Sequence, residues 1–215
     1  KEADHYVSCS YNYRNLFNPQ TSFFHPKDKD GRFLEPFDYR FSGGLGAREY
    51  YGEKNGWIYR WDVQHNFGDL VNMMGGASAF VKNLDATFSE WLGKPKYEFY
   101  AQLPDHTGNV GQFSMANEPS LHIPYLYNYA QTPWKTQQRI RSLVHQWFRN
   151  DLMGVPGDED GGGLSSFVVF SMMGFYPVTP GLPVYHIGSP FFSSVKMKLS
   201  NGKVLEIIAR NCSVD

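Results

Sequence analysis

The chain is 215 residues long, enough for one domain or two small ones with a sizeable core. Its 20 Lys and Arg stand against 21 Asp and Glu, and a formal net charge of −1 argues against nucleic acid or an anionic membrane surface as partner. Aromatic residues make up 17% of the chain, material for a core and, where exposed, for sugar-stacking platforms.

Residues 3–17 carry helical spacing of Tyr6, Val7, Tyr11, Tyr13 and Leu16, ending before Asn18-Pro19. A long irregular excursion follows to Glu53, rich in Gly, Pro and charge but studded with Phe and Tyr, which predicts an ordered loop packed on something. Residues 57–75 read as a short strand-like or turn segment leading into a helix closed by Gly75-Gly76. A second amphipathic helix is predicted over 78–92, with the stripe Phe80, Val81, Leu84, Phe88 and Trp91, and Gly93 as its stop. After a polar link, Pro119 opens a helix carrying Ile123, Leu126 and Tyr127; Thr132 can cap the next, with Pro133 at its first position, running to about Asp151. Residues 164–175 are apolar nearly all round and predict a deeply buried helix. Beyond Pro177, "LPVYHIGSP", "SSVKMKLS" and "KVLEIIARN" are short, β-rich and separated by turn residues such as Asn201-Gly202.

The ends carry little signal. No charged-then-apolar leader opens the chain and no apolar run approaches membrane-spanning length. Lys1-Glu2-Ala3-Asp4 reads as the middle of a longer chain, and the stop at Asp215 follows a strand-like run, so both ends are expected to be cut. Cys9 and Cys212 could bridge only if the ends meet. The sequon at 211–213 is a pattern that chance supplies often.

Two acidic stretches carry chemistry. In "VPGDEDGGGLSSF", residues 155–167, three carboxylates run into three glycines and then an apolar helix. If that segment is extended, Asp158 and Asp160 face one side and Glu159 the other. The glycines allow a close backbone approach and a turn into the helix, whose N-terminus favours ionised carboxylates, as a general base requires. An acidic capping loop with no catalytic role explains the same residues equally well. A calcium loop of the EF-hand kind fails on spacing, because Gly162 and Val169 fall where oxygen ligands are needed; "DKDG" at 28–31 fails likewise and reads as a plain turn.

The second stretch is "NEPSLHIPYLY", residues 117–127. Proline restricts the residue before it, which sets Glu118 on the shoulder of the helix that Pro119 starts. The bland reading is an ordinary N-terminal charge; the functional one is a carboxyl fixed across a cleft. A helix N-terminus lowers a carboxyl pKa whereas a general acid needs it raised, so desolvation by neighbours such as Phe113, Met115 or Trp57 would have to win. Two separated carboxylate stations are what glycoside hydrolysis uses.

Longer blocks sharpen this. "NLFNPQTSFFHPKDKDG", "EKNGWIYRWDVQHN", "NEPSLHIPYLYNYAQTPWKTQ", "GDEDGGGLSSFVVFSMMGFYPVTPG" and "YHIGSP" occur in this order and span nearly the whole chain. Together they resemble the C-terminal portion of glycoside hydrolase family 92, calcium-dependent exo-acting α-mannosidases that invert anomeric configuration. The resemblance implies a mainly α fold: part of an (α/α) barrel built of helical hairpins over residues 1–178, then a small strand-rich tail over 179–215. By matching position it implies Glu118 as general acid and Asp158 with Asp160 as the pair supplying the general base. Calcium is implied as a clamp on sugar hydroxyls, with Asn117 and Gln137 as candidate ligands. Trp57, Glu53 and His65 are implied at the mannose-facing surface, with His122 as a further candidate, although a packed, hydrogen-bonded helix histidine is the reading preferred for it.

Three positions depart from the family pattern. Leu121 stands in place of the first histidine of a pair, Asn66 where "HD" is usual, and Ser22 in place of a glycine. The resemblance further implies a mannose-containing glycan as substrate, the N-terminal part of the same enzyme as partner, and a secreted or periplasmic location. Rival readings are an inactive fragment or carbohydrate-binding module, a purely structural α/α scaffold, or another α/α-barrel glycosidase of trehalase-like kind. A chain holding only the later hairpins should expose unusual apolar area.

Overall fold

The computed structural model describes residues 1–41 and 50–211. The middle of the predicted excursion, Cys212 and most of the sequon lie outside the described residues; Cys9 is a free thiol. The chain is mainly helical and divides into two compact units, residues 1–114 and 115–215, so the strand-rich segment expected from residue 179 begins inside the second unit.

In the first unit, α1 (Glu2–Cys9) ends early and a 3-10 turn, Asn12–Leu16, completes the predicted helical stretch. The expected apolar stripe is not buried: Tyr6, Val7 and Leu16 are exposed. Strands β1 (Phe17–Asn18) and β2 (Phe23–Phe24) pair antiparallel, Phe17 opposite Phe24. Their turn places Ser22 at φ 60°, the left-handed region that glycine enters without penalty, which is a physical reason for the glycine that the family resemblance leads one to expect there.

The irregular stretch that follows is ordered by rings. Buried His25 donates from Nε2 to the Leu34 carbonyl (2.6 Å) and accepts at Nδ1 from the Tyr39 hydroxyl (2.9 Å). Phe33 and Phe37 lean on its imidazole at 5.0 and 4.8 Å, and Tyr39 stacks on Phe23 at 4.1 Å. The "DKDG" segment is a turn, as expected, with Asp28 Oδ1 accepting from the Asp30 and Arg32 amides.

One helical turn, α2 (Gly56–Tyr59), is capped by Asn55, whose Oδ1 accepts from the Trp57 amide. Behind it Arg60 is buried with no ion pair among the described residues, its guanidinium lying 3.9 Å from the Phe23 ring centre, within cation–π reach of Trp57 and Trp61, and donating to Asn83 Oδ1. Burial pushes that guanidinium down to about 9, against its ordinary value above 12. Helix α3 (Phe67–Met73) is capped by Asn66, so one departure from the family pattern is an N-cap. Gly75 and Gly76, at φ 93° and 98°, close α3 as predicted, and α4 (Ala77–Thr87) packs back on it as a hairpin. Phe80, Leu84 and Phe88 are buried, but α4 stops five residues short of the prediction and Trp91 is exposed. Helix α5 (Lys96–Gln102) occupies what reads as a polar link, and β3 (Asn109–Val110) pairs with β4 (Phe113–Ser114). His106 is fully buried, donates to the Gln112 carbonyl (2.7 Å), and is pushed down to about 3 by burial and the nearby Lys54, so it is neutral at working pH.

An ion pair ties the early 3-10 turn to α3. Arg14 grips Asp69 with two bonds (2.8 and 2.6 Å) and Tyr13 adds a third (2.5 Å). The Arg14 bonds come first in holding the Asp69 carboxyl below its usual value. With Arg14 half exposed and the pair screened by water, Asp69→Asn is expected to cost about 1 kcal/mol at pH 7, read as a lower urea midpoint. A depressed folded pKa contributes stability above the unfolded value and loses it as pH falls through the folded one. The gap between variant and wild type therefore closes below about pH 4.

In the second unit, two 3-10 segments, Glu118–Ser120 and Ile123–Ala130, replace the single helix predicted from Pro119. The second packs along α6 (Pro133–Trp147). Pro133 does open α6, but Thr132 makes no side-chain cap, because its hydroxyl donates to the Tyr127 carbonyl instead (3.2 Å). Helix α7 (Gly163–Met173) is closed by left-handed Gly174. It is not deeply buried as expected: Leu164, Phe167 and Ser171 face inward while Val169 is 54% exposed. Exposed Leu182, Val184, Tyr185 and Ile187 add to the expected uncovered apolar area. Strand β5 (Phe175–Tyr176) pairs with β6 (His186–Ile187), and β7 (Ser194–Lys198) with β8 (Val204–Ile208) through the predicted Asn201-Gly202 turn.

Candidate active site

The NEP and GDED stretches, 40 residues apart in sequence, meet in the second unit. Asn117 is extended (φ −154°, ψ 148°), and its Oδ1 accepts from the Glu118 amide at 2.9 Å. That bond starts the turn one residue earlier than expected, with Glu118 first and Pro119 second. The Glu118 side chain then runs to the first residue of α7, Gly163. A Cβ on Gly163 would lie 3.2 Å from both Cγ and Cδ of Glu118, with Oε1 closer still. At the near end of the acidic loop, the Ala116 carbonyl oxygen fills the space where Gly157 would carry a Cβ, with Ala116 Cβ 2.7 Å away. Two glycines thus bracket Asp158 and Asp160 and press the loop onto residues 116–118. At Gly157 the obstacle is backbone and only glycine leaves room; at Gly163 it is the movable end of the Glu118 side chain.

Within the loop the structure differs from the extended geometry assumed from sequence. Glu159 is in the right-handed region (φ −75°, ψ −26°), and Asp160, Gly161 and Gly162 are all left-handed, at φ 52°, 64° and 108°. Strict alternation therefore does not set the side-chain directions. What distinguishes Glu159 is its hydrogen bonding: Oε2 accepts from the Gly162 amide (2.6 Å) and Oε1 from the Ser165 amide (3.2 Å). Bonds from the Ser165 side chain, then from the Gly162 and Ser165 amides, hold its carboxyl below the usual range. Asp158 and Asp160 are left exposed to solvent.

On β5, Tyr176 stacks on buried Tyr125 (4.8 Å, 11°) and meets Phe167 edge-on at 5.5 Å. Burial, and then the negative charge of Glu118, pushes its phenol up to about 12. Tyr176 is thus a neutral O–H group electrostatically coupled to Glu118, and no sequence pattern singled it out. The arrangement offers a half-buried carboxyl beside an aromatic wall and, on the loop pressed against it, two solvent-facing carboxylates, the groups that acid–base chemistry uses.

The other predicted residues fall as follows. Trp57 is half-buried on α2, and the Glu53 amide bonds the Tyr59 hydroxyl. His65 is exposed and donates from Nε2 to the Ser10 carbonyl (2.9 Å). His122 is buried just before the 123–130 turn, as its packed reading expected. Asn117 and Gln137 do not by themselves make a calcium site. Asn117 Oδ1 is already an acceptor, Gln137 adds one amide oxygen from α6, and calcium takes six to eight. Among the described residues no group of three or more His, Cys, Asp or Glu is placed to hold a metal ion. A cavity of about 620 Å³ between the end of α6, residues 148–155 and α7 is lined mostly by apolar side chains and holds none of the predicted site residues. No described helix is long and apolar enough to cross a membrane.

Residues 1–215 match the model of the glycosyl hydrolase family 92 catalytic domain. A protein of Arthroderma benhamiae described as "Uncharacterized secreted glycosidase" is 32% identical over 217 residues, covering 92% of this chain and 25% of that protein. Among solved structures, a family GH92 alpha-mannosidase from Bacteroides thetaiotaomicron in complex with mannoimidazole superposes with a TM-score of 0.85 at 32% identity, covering 100% of this chain and 28% of that one. A family GH92 inverting mannosidase from Bacteroides thetaiotaomicron VPI-5482 gives 0.80 at 35% identity, covering 99% and 29%. The chain spans about a quarter of the length of these relatives.

Proposed function

The chain belongs to glycosyl hydrolase family 92, and from that membership we propose that it forms part of an exo-acting, inverting α-mannosidase that removes terminal mannose, in α-1,2 or related linkages, from mannose-rich glycans. The observation that carries the reading is the seating of Glu118 on Gly163, which brings the candidate acid to the mouth of the loop holding the candidate base.

In this reading Glu118 gives its proton to the departing glycosidic oxygen. The Asp158–Asp160 pair takes a proton from a water that attacks C1 from the opposite face, so the α-linked sugar leaves as β-mannose. Acid and base of an inverting enzyme stand roughly 6.5–9.5 Å apart to admit that water. Trp57, Glu53 and His65 are assigned to holding sugar, and buried His122 to packing. A partial (α/α) barrel over residues 1–178, a strand-rich tail over 179–215 and a secreted or periplasmic setting belong to the same proposal, the last supported by the name of the fungal relative. Calcium is proposed as a sugar clamp, to which Asn117 and Gln137 would add amide oxygens alongside ligands from outside these residues.

The test is the anomer released from α-1,2-mannobiose by the full-length enzyme, followed by proton NMR. β-Mannose is expected first, with Asp158→Asn and Asp160→Asn each lowering kcat by about 10²–10⁴-fold while mannose binding persists. α-Mannose as first product sinks the mechanism. Mannose binding with no turnover turns the reading into a binding module.

A further inference from the structure

We infer that Glu159, the middle carboxylate of the acidic loop, is the positioning residue of the reaction: it fixes the turn from which Asp158 and Asp160 are presented. The inference rests on the assignment of those two aspartates as the base pair.

The loop has to do two things that oppose each other. It must carry three consecutive carboxylates, and it must pass through three consecutive left-handed residues, one of them the non-glycine Asp160 at φ 52°. Like charges push such a loop open, and a left-handed aspartate disfavours the turn. Glu159 opposes both effects. Its two oxygens reach forward over Asp160 and Gly161 to two different amides, Gly162 at 2.6 Å and Ser165 at 3.2 Å, while its own carbonyl accepts from the Leu164 amide (3.3 Å). The Gly163 amide goes to the Asp160 carbonyl. The first amides of α7 are thereby committed, the left-handed run is closed by a bond at each end, and the negative charge of Glu159 is met by backbone N–H dipoles.

The same bonds set what Glu159 is not. With both oxygens held by the backbone it has no role as the base, although it lies between the two residues that have one. The loop must nevertheless stay in register with Gly163, because that glycine carries the contact with Glu118. A base displaced by about 1 Å typically costs 10²-fold in rate without weakening binding comparably.

The experiment compares Glu159→Ala, Glu159→Gln and Asp151→Ala in the full-length enzyme, reading kcat, KM, melting temperature and hydrogen exchange of the peptide spanning 158–167. Asp151 holds a turn by a bond of the same kind, Oδ1 accepting from the Met153 amide at 2.8 Å, in the lining of the cavity that contains none of the predicted site residues. Glu159→Ala is expected to lower kcat by about 10–100-fold with KM changed less than about twofold, and to speed exchange in that peptide. Glu159→Gln keeps one acceptor oxygen and should recover about tenfold of the loss. Asp151→Ala should lower the melting temperature with kcat unchanged. A Glu159→Ala enzyme with wild-type kcat, or equal loss of kcat in Asp151→Ala, overturns the inference. A wild-type enzyme that releases no mannose overturns the functional reading instead. The loop inference then rests on exchange alone: faster exchange in Glu159→Ala supports it and unchanged exchange overturns it.

Discussion

Glu118→Gln is expected to lower turnover of natural α-mannosides by about 10²–10⁴-fold while leaving binding nearly intact. The loss should depend on the leaving group. A sugar hydroxyl needs a proton as the bond breaks; a dinitrophenolate leaves readily without one. An enzyme lacking its general acid should therefore recover most of its rate on a dinitrophenyl α-mannoside, whereas Asp158→Asn and Asp160→Asn, which impair the attacking water, should stay slow on both substrates. Equal loss on the two substrates for Glu118→Gln removes the acid role and leaves Glu118 a structural or binding carboxylate. The comparison is made as kcat/KM for α-1,2-mannobiose against the aryl mannoside in each variant, with a melting curve to exclude unfolding. Gln is the appropriate replacement because the side chain rests on Gly163, and its amide is nearly isosteric with the carboxyl.

Much of this site was legible in the sequence because the signals were local. Proline at 119 was expected to leave Glu118 outside the helix, whereas Glu118 is the first residue of a turn that Asn117 caps; the glycine at 163 does mark a close approach, made by the Glu118 side chain, and the acids before α7 do lie at its N-terminus. The alternation argument for Asp158, Glu159 and Asp160 was not supported, because it presumed an extended chain. The glycines that make the loop legible are also what lets it coil through the left-handed region. Residue choices tied to tertiary partners were the least readable. Thr132 has the composition of a cap but spends its hydroxyl on the Tyr127 carbonyl. Helix α5 has little apolar spacing beyond buried Phe99 and so reads in sequence as a polar link. Tyr176 gained interest only when the fold placed its phenol near Glu118. One of the three departures from the family pattern has a physical reason, Asn66 capping α3; Ser22 instead occupies a left-handed turn position that would favour glycine. Leu121 is simply buried.

Gly163→Ala should separate the fold from the chemistry. Gly163 has ordinary helical dihedrals (φ −60°, ψ −57°), so alanine suits its backbone and would be worth about 0.5–1 kcal/mol to α7 in isolation. The new methyl group, however, would occupy the place of the Glu118 carboxyl: Cγ and Cδ stand 3.2 Å from it and Oε1 nearer. The obstacle is the far end of a flexible side chain rather than backbone, so the cheap response is for Glu118 to swing aside. Stability should then change by less than about 1 kcal/mol in either direction, while kcat on α-1,2-mannobiose falls by about 100-fold or more because the acid no longer points at the glycosidic oxygen. The dinitrophenyl substrate should again be hydrolysed well, so that Gly163→Ala copies Glu118→Gln without touching any group that carries a proton. A variant that melts like wild type and keeps its full rate would show that the contact between Gly163 and Glu118 does not set the position from which Glu118 acts.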